Sequence, residues 1–221
     1  MSETITIRPY SNTTPSTPTY SNIANMYDGD ETTSGYLTTS VKVTSTTTVT
    51  QSNITYLRFD LSAIPANAVV TKLELYSRGG YSIQGGATGI SASRYYQFGF
   101  YDSVTLVGSN VSYDTSSSMT TKSIALTDET QISAFLNSTN PRARVRCYTS
   151  GRRKSGTASA SLSTTVRVYD TYLIVTYELP TSAKVKVNGT WEDGTVKVKA
   201  NGTWVDAKKI YAKVNGEWIE T

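Results

Sequence analysis

Residues 55–76 read TYLRFDLSAIPANAVVTKLELY, and this stretch decides the fold. Every second residue of Tyr56–Leu61 is polar, which is the period of two that is typical of a half-buried strand. Val69–Tyr76 alternates in the same way after a short corner. Pro65 belongs in that corner because it has no N–H to donate to a sheet. The stretch therefore predicts two strands of antiparallel structure, each with one face on a core and the other in water.

The composition indicates an all-β protein with one sizeable domain and an appendage. Charged side chains make up only 17% of the 221 residues, whereas threonine, serine and the 16 tyrosines are abundant. β-Branched and aromatic residues favour strands, and serine, glycine and asparagine favour turns. The formal net charge is +4 and the basic residues are mostly dispersed, so nucleic acid is not predicted as a partner.

Several residue types that support chemistry are missing or rare. The chain has no histidine, the commonest general base, and Cys147 is its single cysteine, which excludes an intrachain disulfide. No apolar run has the length of a transmembrane helix, and the first residues, MSETITIRPY, lead into strand-like alternation instead of a signal peptide. We therefore expect no membrane insertion, no catalytic residues and synthesis in the cytoplasm without an export signal.

The central stretch also resembles the core signature of DNRLRE-type domains. These domains are jelly-roll β-sandwiches related to carbohydrate-binding modules, and they occur in bacterial surface proteins and in phage structural proteins. The resemblance covers roughly Thr4–Pro180 and is echoed by LIVTY at Leu173–Tyr177, the expected last strand. It implies a jelly-roll β-sandwich over residues 1–180. It leaves the ligand open, because one fold hosts many functions.

An acidic segment precedes the central stretch. Residues 25–33, NMYDGDETT, resemble the N-x-x-D-G-D-x-x-T corner of discoidin-like and glycan-binding sandwiches, in which carboxylates and backbone carbonyls hold a calcium ion. Asp28, Asp30 and Glu31 supply closely spaced oxygen ligands of the kind that a hard cation needs. The alternative is an Asp-Gly turn with solvated acids, which is common in β proteins. Calcium is the only cofactor that the sequence suggests.

Five aromatic residues lie within Tyr95–Tyr101. In a strand, three of them share one face, and Tyr95 and Tyr101 lie at the rim of the other. An exposed platform at these two tyrosines predicts stacking on sugar rings, and the alternative is core packing with ordinary strand propensity. The preceding residues 77–93 are rich in glycine and serine, which predicts a long loop. Residues 128–137 carry the apolar spacing of one short helix.

A local concentration of arginine follows that helix. Arg142, Arg144 and Arg146 alternate with small or apolar residues, so a strand would present three guanidinium groups on one face. Arg152, Arg153 and Lys154 are predicted to lie in the following turn. Such a patch suits the phosphate or carboxylate groups of a teichoic-acid-like polymer, or an acidic neighbouring subunit. The alternatives are a solvated strand face and nucleic-acid binding, for which the patch is short.

Residues 181–221 contain an internal repeat. VKVNGTW at 185–191 is followed by VKANGTW at 198–204 and AKVNGEW at 212–218. Asn-Gly between short alternating segments is the strongest short signal for a hairpin, so the repeat predicts three hairpins. A lone hairpin is marginal in water. Trp191, Trp204 and Trp218, all the tryptophans of the chain, are therefore predicted to serve as hairpin core or docking anchors, in self-association or on other virion proteins.

The tail resembles C-terminal repeats in structural proteins from phages of Gram-positive hosts. It is also similar to choline-binding repeats of cell-wall proteins, but those cages need several aromatic residues where each unit here has one tryptophan. Together the resemblances imply a non-enzymatic phage virion protein that acts outside cells: a capsid decoration, a head fibre or a tail-associated adhesin that binds cell-wall or capsular glycan.

Two other functions remain open. One is a carbohydrate-binding module of a bacterial cell-surface protein. The other is a polysaccharide-degrading enzyme, which needs two positioned carboxylates. Asp60 and the acidic cluster at 28–31 are the only acidic groups to consider for that role.

Overall fold

The computed structural model describes residues 2–13, 19–113, 119–156, 158–179, 182–187, 190–195, 197–200, 203–206, 211–214 and 217–220. The strands of the first part of the chain are β1 (Ser2–Ile7), β2 (Pro9–Thr13), β3 (Thr19–Ser21), β4 (Gly35–Val43), β5 (Val49–Phe59), β6 (Val69–Gln84), β7 (Ile90–Asp102), β8 (Thr105–Tyr113), β9 (Thr120–Leu126), β10 (Pro141–Arg153) and β11 (Ala160–Glu178). A 3-10 helix occupies Ile23–Met26, and the α-helix α1 occupies Glu129–Leu136.

Two antiparallel sheets form the sandwich. The first sheet has the strand order β3-β4-β11-β6-β9, with β1 also paired to β11, and the second has the order β2-β5-β10-β7-β8. The eight strands from β4 to β11 are distributed between the sheets as β4-β11-β6-β9 and β5-β10-β7-β8, which is a jelly-roll arrangement of two Greek keys. The prediction of an all-β jelly-roll sandwich is confirmed.

The stretch that decides the fold crosses from one sheet to the other. Its first strand is the end of β5 and its second is the start of β6, so the Pro65 corner joins the two layers. Leu57 of β5 and Leu73 and Leu75 of β6 are fully buried. The alternation in the sequence therefore reflects a single core. Both strands contribute buried side chains to it, one from each sheet.

The long loop predicted at residues 77–93 is wrong. β6 continues to Gln84 and β7 begins at Ile90, so the connection is only residues 85–89. Gly79 lies within β6. A Cβ atom at this position would be 2.6 Å from the carbonyl oxygen of Arg167, which explains why the residue is glycine. This glycine permits a close approach of two strands and does not mark a turn. The turn itself uses Gly85 and Gly89, whose φ values of 75° and 82° favour glycine.

The predicted helix is confirmed as α1, which packs on the core. Its N-cap residue is Asp128, whose side chain accepts a hydrogen bond of 3.0 Å from the backbone N–H of Gln131. Ile132 and Phe135 are the buried residues of the helix. The ring of Phe135 meets the ring of Phe100 edge-on, with 5.0 Å between centroids, so the helix is anchored to β7 by aromatic packing.

A polar cluster lies between the sheets. The hydroxyl of Thr149 on β10 is 2.6 Å from that of Thr39 on β4 and donates a 2.6 Å hydrogen bond to that of Thr164 on β11. The thiol of Cys147 lies 3.4 Å from the Thr39 hydroxyl and donates to the carbonyl oxygen of Thr164. All four residues are almost completely buried. Burial raises the pKa of the Cys147 thiol to about 11, so the thiol is protonated at neutral pH.

The repeat region forms three two-stranded hairpins. Their strands are β12 (Ser182–Val187) with β13 (Thr190–Thr195), β14 (Lys197–Ala200) with β15 (Thr203–Asp206), and β16 (Tyr211–Val214) with β17 (Glu217–Glu220). In backbone register, each tryptophan position faces a lysine position, as in the pair Lys186 and Trp191. The Asn-Gly turns, and the tryptophan side chains with their predicted docking role, lie outside the described residues. The chain divides into two compact units, one of residues 4–64 and 70–176 and one that includes the tail.

Candidate functional site

The arginines of β10 lie on the outer face of the second sheet. β10 pairs with β5 on one side and with β7 on the other, so it is an interior strand. Ala143, Val145 and Cys147 point into the core and are fully buried. The residues between them point outward and are only partly buried. The outer surface here is called the arginine–tyrosine face, and it consists of Tyr56, Arg58, Tyr95, Gln97, Tyr101, Arg142, Arg144, Arg146 and Tyr148.

Strand register orders this face into four rows across β5, β10 and β7. The rows are Arg58–Arg142–Tyr101, Tyr56–Arg144–Gly99, Ile54–Arg146–Gln97 and Ser52–Tyr148–Tyr95. Three arginines therefore follow one another along β10, and a fourth lies beside the first of them. The fourth is Arg58, which the sequence indicated only as a polar position in an alternating strand. Its part in the face depends on strand pairing and carries no local signal.

The guanidinium groups of Arg142, Arg144 and Arg146 each lie over a tyrosine ring. The Cζ atom of Arg144 is 4.2 Å from the ring centroid of Tyr101, and that of Arg142 is 5.4 Å from the centroid of Tyr56. Arg146 lies 5.0 Å from the ring of Tyr148. These cation–π contacts hold the arginine side chains against the sheet, so they lose little conformational freedom when a ligand binds.

The two tyrosines predicted as an exposed platform are covered. Tyr101 is only 2% exposed and lies beneath Arg144, so it offers no open ring face. The ring of Tyr95 is stacked on that of Tyr148, with 4.4 Å between centroids and 11° between planes. The sugar-stacking hypothesis is corrected for Tyr101, because the surface that meets solvent here is guanidinium.

The hydrogen-bond partners that the structure shows for these arginines are neutral groups. Within the described residues, no acid forms an ion pair with Arg58, Arg142, Arg144 or Arg146. Their hydrogen bonds go to neutral oxygens: Arg58 Nη2 donates to Asn140 Oδ1 (2.7 Å), Arg144 Nη2 to Gln97 Oε1 (3.3 Å) and Arg146 Nε to Ser52 Oγ (2.8 Å). The face therefore carries four positive charges that have no ion-pair partner within the described residues.

The pKa of Tyr148, at the end of the face, is lower than that of a free tyrosine. Hydrogen bonds with Ser150 and Thr50 lower the pKa of its hydroxyl, and the charge of Arg146 acts in the same direction.

The Nε atoms of Arg58, Arg142 and Arg144 are buried without a hydrogen-bond acceptor in the described part of the chain. Unpaired buried donors of this kind reduce stability.

Besides the arginine–tyrosine face, a basic depression lies where β10 ends. It has a volume of about 380 Å³ and is lined by Thr46, Ser91, Arg152, Arg153, Lys154 and Ser155. The sequence predicted a turn for the three basic residues, but β10 extends through Arg153, so only Lys154 lies beyond the strand. Backbone hydrogen bonds from Arg153 to Ser45 and from Lys154 to Gly89 fix this end of the sandwich.

The acidic segment forms hydrogen-bonded turns. Asp28 accepts hydrogen bonds from the backbone N–H of Asp30 (2.9 Å) and from the hydroxyl of Thr33 (3.1 Å). Asp30 accepts two from Thr32, and the side-chain one is the main reason that its pKa is lowered. Glu31 forms an ion pair with Arg78. No group of three potential ligands assembles for a metal ion within the described residues, so calcium gains no support from this geometry.

Asp60, the other acid considered from the sequence, also serves a turn. Its carboxylate accepts a 3.0 Å hydrogen bond from the backbone N–H of Ser62 at the end of β5, and hydrogen bonding to Ser62 lowers its pKa. A general acid needs a raised pKa. The geometry of Asp60 therefore supports a structural role at the corner.

Comparisons with known proteins assign no family to this chain. No protein-family model matches it, and no curated protein matches it either. The described residues contain no helix with the length and apolar character needed to cross a membrane. The likeness to DNRLRE-type domains and to phage repeats stays a prediction from the sequence.

Proposed function

We propose that this chain is a non-enzymatic structural protein of a phage virion, a capsid decoration, head fibre or tail-associated adhesin, whose β-sandwich binds glycan on the host surface. The observation that carries the binding role is the arginine–tyrosine face, with four guanidinium groups and no ion-paired acid in the described residues. Arginine forks suit the carboxylate and phosphate groups of bacterial surface polymers.

The virion assignment rests on the sequence. The tail of three hairpins supports a division of labour in which the tail docks onto other virion proteins or onto copies of itself, while the sandwich faces outward. A carbohydrate-binding module of a bacterial cell-surface protein is the alternative. The same face supports it equally, so the two differ in location and not in binding chemistry.

Binding to cell walls tests the ligand. We expect the purified full-length chain to bind saturably to isolated Gram-positive cell-wall glycan. The double variant Arg144→Gln/Arg146→Gln should bind at least about a hundredfold more weakly, because each of the two lost charge-assisted hydrogen bonds contributes about 1.5–3 kcal/mol. The measurement is a pull-down isotherm on cell walls of several Gram-positive species, with thermal unfolding of each variant recorded alongside.

Arg167→Gln is the matched control for that experiment. Arg167 lies on the first sheet, with its Cζ atom 5.4 Å from the ring of Tyr36, so it forms the same kind of pair away from the proposed site. Its replacement should leave binding unchanged. A chelator should also leave binding unchanged, because arginines need no calcium to bind an anion. Binding lost in chelator would argue instead for the Asp28–Glu31 segment, and equal binding by all variants would remove the face from the proposal.

Detection in particles tests the location. We expect the chain to be a stoichiometric component of particles purified from cells that encode it, because a structural protein of a virion is built into every particle. Mass spectrometry of gradient-purified particles measures this. Deletion of residues 181–221 should abolish incorporation while the sandwich remains folded. A chain found in the cell envelope and absent from particles would favour the bacterial surface module.

A further inference from the structure

Arg58 and Arg142 form a like-charged pair across two strands. They are directly opposite each other in the register of β5 and β10. Like charges in this position destabilise a sheet. Arg58 is held by the side-chain oxygen of Asn140, and Arg142 lies over Tyr56. An oxyanion shared between the two guanidinium groups would remove their repulsion and supply two charge-assisted contacts.

The remaining arginines continue this charge in one direction. Arg142, Arg144 and Arg146 alternate along β10, so the Cα atoms of successive arginines lie about 6.8 Å apart and the three span about 14 Å of the strand. Each of the three is fixed over a tyrosine ring, and Arg146 is also hydrogen-bonded to Ser52. A fixed set of charges spread along one strand fits an extended polymer that carries an anionic group in each repeat.

The covering of these rings disfavours two other kinds of ligand. A neutral glycan relies on an open aromatic face, and Tyr101 is buried while Tyr95 is stacked on Tyr148. Single-stranded nucleic acid relies on aromatic side chains on which its bases stack. The buried Tyr101 and the stacked Tyr95 and Tyr148 leave guanidinium groups as the main recognition elements, so this face suits a polymer that is recognised by its anionic groups.

We propose that the ligand is a linear anionic glycopolymer that lies along β10, with its first carboxylate or phosphate between Arg58 and Arg142 and later ones on Arg144 and Arg146. This inference rests on the proposed function, since it names the class of glycan that the same face binds. The shared chemistry is a regularly repeated oxyanion, on sugar rings or on a phosphodiester backbone.

The test uses the full-length chain and defined polymers in titration calorimetry. The probes are polygalacturonate, poly(glycerol phosphate), neutral dextran and a single-stranded oligonucleotide. We expect binding to one or both of the first two, and the tighter of them identifies carboxylate or phosphate as the source. Galacturonate oligomers should gain affinity with length until they span the row. Dextran should not bind, and the oligonucleotide should bind more weakly than the preferred polymer.

Variants locate the first anion. Arg58→Gln and Arg142→Gln should each weaken binding about tenfold. The double variant should lose less than the product of the two effects, because both arginines hold the same oxyanion. Each single variant removes a like-charge repulsion together with one favourable contact, the Arg58–Asn140 hydrogen bond or the Arg142–Tyr56 pair, so its melting temperature should change little, whereas a merely structural role would lower it. Arg167→Gln is again the control and should bind as the wild type does.

The outcomes separate this inference from the function on which it rests. Unchanged binding of the anionic polymers by the Arg58→Gln/Arg142→Gln variant would overturn the shared subsite, even if the wild type binds cell walls. Equal binding of dextran, or tighter binding of the oligonucleotide, would overturn the ligand class. A chain that binds the anionic polymers through these arginines but binds no cell wall would uphold the subsite and refute host-glycan adhesion.

Discussion

Replacing Phe135 with alanine is expected to lower the free energy of unfolding by about 3–5 kcal/mol, the usual cost of removing a buried phenylalanine. Phe135 is fully buried, and its ring meets those of Phe100 at 5.0 Å and Phe59 at 6.4 Å between centroids. These two partners belong to β7 and β5, so the ring joins α1 to two strands of the second sheet. Truncation leaves a cavity that neither strand can fill without moving. Urea unfolding followed by fluorescence measures the change.

Thr130→Ala is the control on the same helix. Thr130 is exposed, and its replacement should change the free energy of unfolding by no more than about 0.5 kcal/mol. Phe135→Leu should fall between the two, because leucine keeps most of the apolar contact and loses the edge-on ring geometry. A loss below about 1 kcal/mol for Phe135→Ala would show that α1 is peripheral to the core and that the jelly roll is stable without it.

Features with a local cause could be predicted from the sequence. The alternation around Leu57 predicted β5, and the apolar spacing of residues 128–137 predicted α1 almost to the residue. These signals work because burial has the period of the element itself. The period of two in Arg142, Arg144 and Arg146 likewise predicted their common face, which the structure places on the outer side of β10.

Features that depend on a neighbouring strand could not be predicted. Gly79 suggested a loop, but it is required by the backbone of β11 beside it. Tyr101 suggested an open platform, but Arg144 covers it from the next strand. Arg58 gave no signal, because its proximity to Arg142 is a consequence of pairing between strands far apart in sequence. In each case the missing information was which strands are adjacent and in what register, which alternation does not encode.

Replacing Thr149 with valine is expected to cost about 1–3 kcal/mol, although the side chain keeps its shape. The Thr149 hydroxyl is the shared partner of the hydroxyls of Thr39 and Thr164, which come from the other sheet. Without it, Thr39 retains its contact with the Cys147 thiol, and the Thr164 hydroxyl is left buried with an unmet hydrogen bond. The cost therefore comes from the desolvated group that remains more than from the bond that is lost. Thermal and urea unfolding measure it.

The double variant Thr149→Val/Thr164→Val separates these two explanations. It removes the Thr164 hydroxyl, which would otherwise lack a partner, together with the Thr149 hydroxyl. It should therefore be more stable than Thr149→Val alone, although it carries one more substitution. The thiol of Cys147 still donates to the backbone carbonyl of Thr164 in both variants. If the double variant is instead the less stable of the two, the hydroxyls contribute through the bonds themselves. The hydrogen bonds of the polar cluster would then stabilise the packing of the two sheets. The alternative, that the cluster matters only when one hydroxyl is left without its partner, would be ruled out.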